Sequence, residues 1–140
     1  MAEKIIVPTL GESITEASSG GTDAVAIVTT TDFANMTAAS FNEIEEIRFA
    51  GASKTGTFTG AQLTGETLSL TETVSGTSNL IINVASGTTA TFTNMTASTF
   101  SSGSDTVTIN GTTGNETITG PNVASTIDGG AGTDLSLIHI

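Results

Sequence analysis

The chain has 140 residues, no cysteine, no Trp or Tyr, and fourteen Asp and Glu against three Lys and Arg, for a formal net charge of -11. A length of about one domain allows a single economical core, and the absence of cysteine excludes disulfides, thiolate zinc sites and a Cys nucleophile. Lys4, Arg48 and Lys54 are the only basic residues, too few and too scattered for a phosphate-binding surface, so nucleic acid is not expected as a partner.

Taken from the amino terminus, residues 1–17 run Met-Ala-Glu-Lys-Ile-Ile-Val-Pro-Thr-Leu-Gly-Glu-Ser-Ile-Thr-Glu-Ala. The apolar run Ile5-Ile6-Val7 meets Pro8 at once, which is not the pattern of a cleaved signal. This stretch resembles the opening of lipoyl domains from 2-oxo acid dehydrogenase acyltransferases. The only later lysine, Lys54, lies in Ser53-Lys54-Thr55 rather than the Asp-Lys-Ala setting of a lipoylated hairpin. Residues 1–17 are therefore read as an atypical amino-terminal segment or cap.

From residue 18 the composition changes. Thr, Ser, Gly and Ala dominate, and Val, Ile and Thr outnumber helix formers, which favours pleated structure. Candidate strands centre on Val25–Ile27, Ile47–Phe49, Thr57–Thr59, Leu68–Leu70, Leu80–Val84, Thr91–Thr93 and Val107–Ile109. Several alternate apolar and polar residues with period two, so each buries one face.

The same region repeats itself. Phe33 to Phe41 returns as Phe92 to Phe100 with six of nine positions identical, at an offset of 59. Beyond a one-residue insertion the offset is 60, matching Ile47, Phe49 and Phe58 to Val107, Ile109 and Ile118. A shorter rhythm follows, with Ile109, Ile118 and Ile127 nine residues apart between Gly-, Asn- or Asp-rich corners. Strands this short cannot bury a face alone, whereas stacked rungs share one narrow core. The expected fold is all-β, a right-handed parallel β-solenoid (β-roll or β-helix) over residues 18–134. A β-sandwich of antiparallel strands is the alternative, since it also shows short, regularly spaced strands.

The carboxyl end carries the chemistry. Frames beginning at Gly111, Gly120 and Gly129 fall in register with the nonapeptide G-G-x-G-x-D-x-U-x, U being a large apolar residue. The first keeps Gly111, Gly114 and Ile118 and puts Glu116 in the acid position. The second has Val123 and Ser125 where glycine and aspartate belong and should bind nothing. The third supplies Gly129, Gly130, Gly132 and Asp134, but Ser136 takes the apolar position. Glycine corners let backbone carbonyls converge on a hard cation while an acid supplies charge, which is what calcium coordination asks for. Two nine-residue halves make an eighteen-residue coil, placing turns 111–116 and 129–134 over one another, with one calcium ion expected between Glu116 and Asp134. The competing reading is glycine corners with solvated acids.

These residues resemble the hemolysin-type (RTX) calcium-binding repeat proteins over 103–134, and more loosely at Gly20 to Ile27. The Asn-Met-Thr-Ala units are similar to those of bacterial surface-layer proteins and adhesins. The resemblance implies β-roll coils with calcium in the turns, secretion without a cleaved amino-terminal signal, and a structural or adhesive role at the bacterial cell surface. Partners on this reading are calcium ions, with self-association or cell-surface glycans beside them.

Three further patterns are weaker. Asn35, Asn94, Asn110 and Asn115 each open an Asn-x-Thr triplet, the glycan-acceptor pattern, which a Thr-rich chain also produces by chance. Glu43, Glu45 and Glu46 read as a solvated turn. His139, the only histidine, lies one residue from the end, which leaves no interior base for a nucleophile relay, and no enzyme activity is expected. A carbohydrate-binding or carbohydrate-cleaving β-helix is the alternative function, weakened by the lack of Trp and Tyr. No segment has the length to cross a bilayer. Residues 135–140 break the nine-residue phase and are expected to be an irregular, truncated tail.

Overall fold

The computed structural model describes residues 4–5, 21–42, 44–101 and 103–138. They form a β-solenoid of about four turns with almost no helix. The lipoyl-like segment lies outside these residues except for β1 (Lys4–Ile5).

Three sheets make the walls. The first stacks β1, β2 (Ala24–Ile27), β4 (Glu46–Phe49), β6 (Leu68–Glu72) and β9 (Met95–Ala97). The second stacks β3 (Thr31–Asp32), β5 (Thr55–Thr59), β7 (Asn79–Asn83), β10 (Thr106–Thr112) and β12 (Thr126–Gly130). The third stacks β8 (Thr89–Thr91), β11 (Thr117–Thr119) and β13 (Leu135–Leu137). Every ladder is parallel, which excludes the antiparallel sandwich.

Coil length is set by what fills the third wall. In the first sheet the register steps by 22 and 23 residues, from Ala24 to Glu46 to Ser69. There a 3-10 turn (Ala38–Phe41) and a single helical turn, α1 (Gly60–Leu63), close the coil. When β8 replaces them the step grows to 27, from Leu80 to Val107. It then falls to 18, from Ile109 to Ile127 and from Thr117 to Leu135, because the last coil contributes no strand to the first sheet. The segment after β11 passes beneath β9 instead, with the Asn122 N–H bonded to the Met95 carbonyl at 3.1 Å.

Inward positions stack into the core, as the period-two pattern requires. Val25, Ile47 and Leu70 follow one another in the first sheet, and Phe58, Ile82, Ile109 and Ile127 in the second. Phe33 stacks on Phe58 with ring centroids 4.5 Å apart, and Phe41 meets Phe58 edge-on at 5.4 Å. The coil is narrow enough that one inward position must be glycine: a Cβ on Gly56 would overlap Ile27 Cδ1.

The few buried polar groups are bonded. Gln62, 1 % exposed, accepts the Thr59 N–H at 2.7 Å and donates to the Phe33 and Met36 carbonyls at 2.7 and 2.9 Å. Outward rows are mixed Thr and Asn ladders rather than threonine alone. Thr106 Oγ1 donates to Asn79 Oδ1 at 2.7 Å, and Asn110 Nδ2 to Asn83 Oδ1 at 3.1 Å.

The tail differs from expectation. Leu135–Leu137 continue the third sheet as β13 rather than running irregularly, paired with β11 through Thr117–Leu135, Ile118–Ser136 and Thr119–Leu137. The broken phase shows in its side chains: Ser136 takes the inward place below Ile118, while Leu135 and Leu137 are 54 % and 48 % exposed.

Candidate metal site

Turns 111–116 and 129–134 leave the second sheet and lead into the third. Because Thr112 pairs with Gly130 and Thr117 with Leu135, the two turns lie in register, eighteen residues apart. The Ala131 N–H donates to the Thr112 carbonyl at 2.8 Å, and the Thr133 N–H to Asn115 Oδ1 at 2.9 Å. The Glu116 N–H donates to Asp134 Oδ1, also at 2.9 Å.

The glycines are needed mostly for space. A Cβ on Gly111 would overlap the Gly129 carbonyl, one on Gly130 the Thr112 carbonyl, and one on Gly132 the Gly114 carbonyl. A Cβ on Gly129 would sit 2.8 Å from Asp134 Oδ2, and one on Gly114 would sit 2.8 Å from Glu116 Oε1. Gly130 also has φ +83°, a conformation that L side chains rarely adopt. Backbone oxygens and both carboxyls thus crowd into gaps that only glycine leaves open.

Structure separates the two acids. Glu116 is 1 % exposed and reaches the coil above: Oε1 accepts the Gly87 N–H at 2.9 Å and the Thr112 hydroxyl at 3.0 Å, and Oε2 accepts the Thr112 N–H at 3.0 Å. The backbone N–H groups of Thr112 and Gly87 hold its carboxyl below the ordinary value of 4.5, against desolvation, with the Thr112 hydroxyl and the Asp134 carboxyl adding to the lowering. Asp134 is half-buried, and its carboxylate reaches Glu116 through that residue's main-chain N–H.

The donor set suits a hard cation. Carboxylate oxygens of Glu116 and Asp134 and the carbonyls of Gly114 and Gly129 are all oxygen donors, the kind calcium takes. Among the described residues no group of three or more His, Cys, Asp or Glu side chains could hold a metal. An ion here would draw on two carboxylates and main-chain oxygens. The degenerate middle frame, 120–128, makes no comparable turn, since its first residues run under β9.

Two acids of the same kind escape motif reading. Asp105, 5 % exposed, accepts the Ser78 N–H at 2.8 Å and the Ser101 N–H at 2.6 Å. Glu45 accepts the Asp23 N–H at 2.8 Å. Glu45, Asp105, Glu116 and Asp134 each stand one residue before a strand, and each binds an N–H of the adjoining coil. That position, an acid directly ahead of an alternating segment, is the signal that would have found them. Nor is Glu46 a solvated turn residue: it is 8 % exposed and takes two bonds from Arg48, at 3.0 and 2.6 Å. Glu43 and His139 lie outside the described residues.

The groove between α1 and β8, about 470 Å³, is lined by small residues such as Ala61, Val84, Ala85 and Ala90, with no carboxylate or aromatic side chain. Among the described residues no helix is long and apolar enough to cross a membrane. Comparison with known proteins finds no matching family model, no matching curated sequence and no matching solved structure.

Proposed function

We propose that the chain is a non-enzymatic, structural and adhesive segment of a secreted bacterial surface protein, in which one calcium ion bridges the turns at 111–116 and 129–134. The observation that carries this reading is the stacking of two glycine turns in register, with the Asp134 carboxylate bonded to the Glu116 N–H. Glu116 spends three acceptor positions on Gly87 and Thr112, so Asp134 is the principal charged ligand and Glu116 the secondary one. Gly111, Gly114, Gly129, Gly130 and Gly132 act by letting carbonyls approach. Calcium would supply positive charge to a wall that carries both carboxylates, in a chain of net charge -11. The outward Thr and Asn rows of the second sheet suit a scaffold that presents contact area rather than a catalytic cleft.

The test is thermal unfolding followed by circular dichroism in millimolar calcium and in chelator. A ligand that binds only the folded state raises Tm with its concentration, so calcium should raise Tm in the wild-type chain and not in Asp134→Ala. Equal Tm values in calcium and chelator for the wild type would refute the calcium assignment.

A further inference from the structure

We propose that Asn35 and Asn94 are paired glycan-acceptor sites, presented by two copies of one turn to a glycosyltransferase that reads Asn-x-Thr. Four such triplets occur, at Asn35, Asn94, Asn110 and Asn115, and pattern alone ranks them equally. The fold does not.

Asn110 lies inside β10, in register with Asn83 and Asp128. Its Nδ2, the atom a sugar would be joined to, donates to Asn83 Oδ1 at 3.1 Å. Asn115 is exposed, but its Oδ1 accepts the Thr133 N–H at 2.9 Å and ties two coils together. Both amides are thus fixed against a neighbouring coil.

Asn35 and Asn94 are placed differently. In each copy a four-residue turn closes through a main-chain bond, Met36 N–H to the Phe33 carbonyl at 2.9 Å and Met95 N–H to the Phe92 carbonyl at 3.0 Å. The first and last side chains of each turn are core residues, Phe33 and Met36 in one, Phe92 and Met95 in the other, none more than 4 % exposed. With both ends anchored inward, the asparagine in third place is held outward. Both asparagines are exposed and neither side chain makes a hydrogen bond among the described residues. Thr37 and Thr96, the third members of the triplets, are exposed as well.

The reaction takes an activated sugar, a hexose joined through its anomeric carbon to a nucleoside diphosphate. The Asn Nδ2 forms a bond to that carbon, the carbon–oxygen bond to the diphosphate breaks, the nucleoside diphosphate leaves, and one amide proton passes to a base on the transferase. An N-linked glycan at two corners would add bulk and solubility to the solenoid's outside without touching its core.

The test uses the full chain with an Asn-x-Thr-specific transferase and a nucleoside diphosphate hexose, read by intact mass and peptide mapping, beside synthetic peptides spanning each triplet. All four peptides should accept sugar, whereas the folded chain should gain two hexoses, at Asn35 and Asn94, each lost in Asn35→Gln or Asn94→Gln. Circular dichroism of both variants shows whether they remain folded. Equal occupancy at Asn110 or Asn115 in the folded chain, or no addition at Asn35 and Asn94 when their peptides accept, overturns the proposal.

Discussion

The main-chain N–H of Glu116 donates to the carboxylate of Asp134 at 2.9 Å, so one charged side chain fixes the vertical register of two turns eighteen residues apart. Losing a hydrogen bond to a charged group costs about 1.5 kcal/mol or more. Asp134→Ala should therefore speed hydrogen exchange at the Glu116 amide in metal-free solution, while Asp134→Asn, which keeps an acceptor oxygen, should retain most of the protection. Identical exchange in all three chains would show that the bond does not hold the turns together.

Glu46 provides a pH dependence distant from those turns. Hydrogen bonds from the Arg48 guanidinium, helped by the Thr71 hydroxyl, hold its carboxyl below the ordinary value of 4.5, against the opposing effect of burial. A lowered carboxyl stabilises the fold fully above its unfolded value, and that contribution disappears as the pH falls through the folded value. Glu46→Gln should cost about 1 kcal/mol at neutral pH. In denaturant titrations across pH the gap to wild type should close on acidification; a gap that widened would give the ion pair the wrong sign.

Two glycines with similar backbone angles should respond differently to alanine. Gly65 has φ +79° and open space where a Cβ would go, whereas Gly130 has φ +83° and the Thr112 carbonyl in that place. Gly65→Ala should cost about 1–2 kcal/mol from conformation alone. Gly130→Ala should in addition force the last coil away from β10, making residues 121–138 selectively sensitive to protease. Equal losses in the two variants would contradict the close stacking of these turns.

The phenylalanine cluster sets the stability of the upper coils. Phe58 is fully buried between Phe33 and Phe41, so Phe58→Ala should cost about 3–5 kcal/mol. Ile127 lies in the same inward row but is only half-buried, and Ile127→Ala should cost clearly less in chemical denaturation. The reverse order would move the core to the wrong end of the solenoid.

Most strand positions and the parallel stacking were legible because inward residues alternate cleanly, as in Val107 and Ile109. The nine-residue rhythm gave the right coil only at the carboxyl end, where Ile109 pairs with Ile127 and Ile118 lies on the opposite wall. Upstream, helical turns and β8 lengthen the coil without disturbing the alternation, so local pattern carried no count of them. The sixty-residue repeat conceals a further step. Ile47 lies in the first sheet and its counterpart Val107 in the second, while Phe58 lies in the second and Ile118 in the third. The repeat preserves rungs and corners but moves each one wall around the coil, which no offset between matching residues could show. Asp105 was missed because its corner does not follow the nonapeptide pattern, and Ser78, its partner on the adjoining coil, meets it only through the stacking.

The most direct measurement is isothermal titration of the metal-free full chain with calcium, beside Asp134→Asn. One ion per chain is expected for the wild type, with binding weakened at least tenfold in the variant. Binding that is absent from the wild type, or unchanged when Asp134 loses its charge, would contradict a cation held between the carboxylates of Glu116 and Asp134.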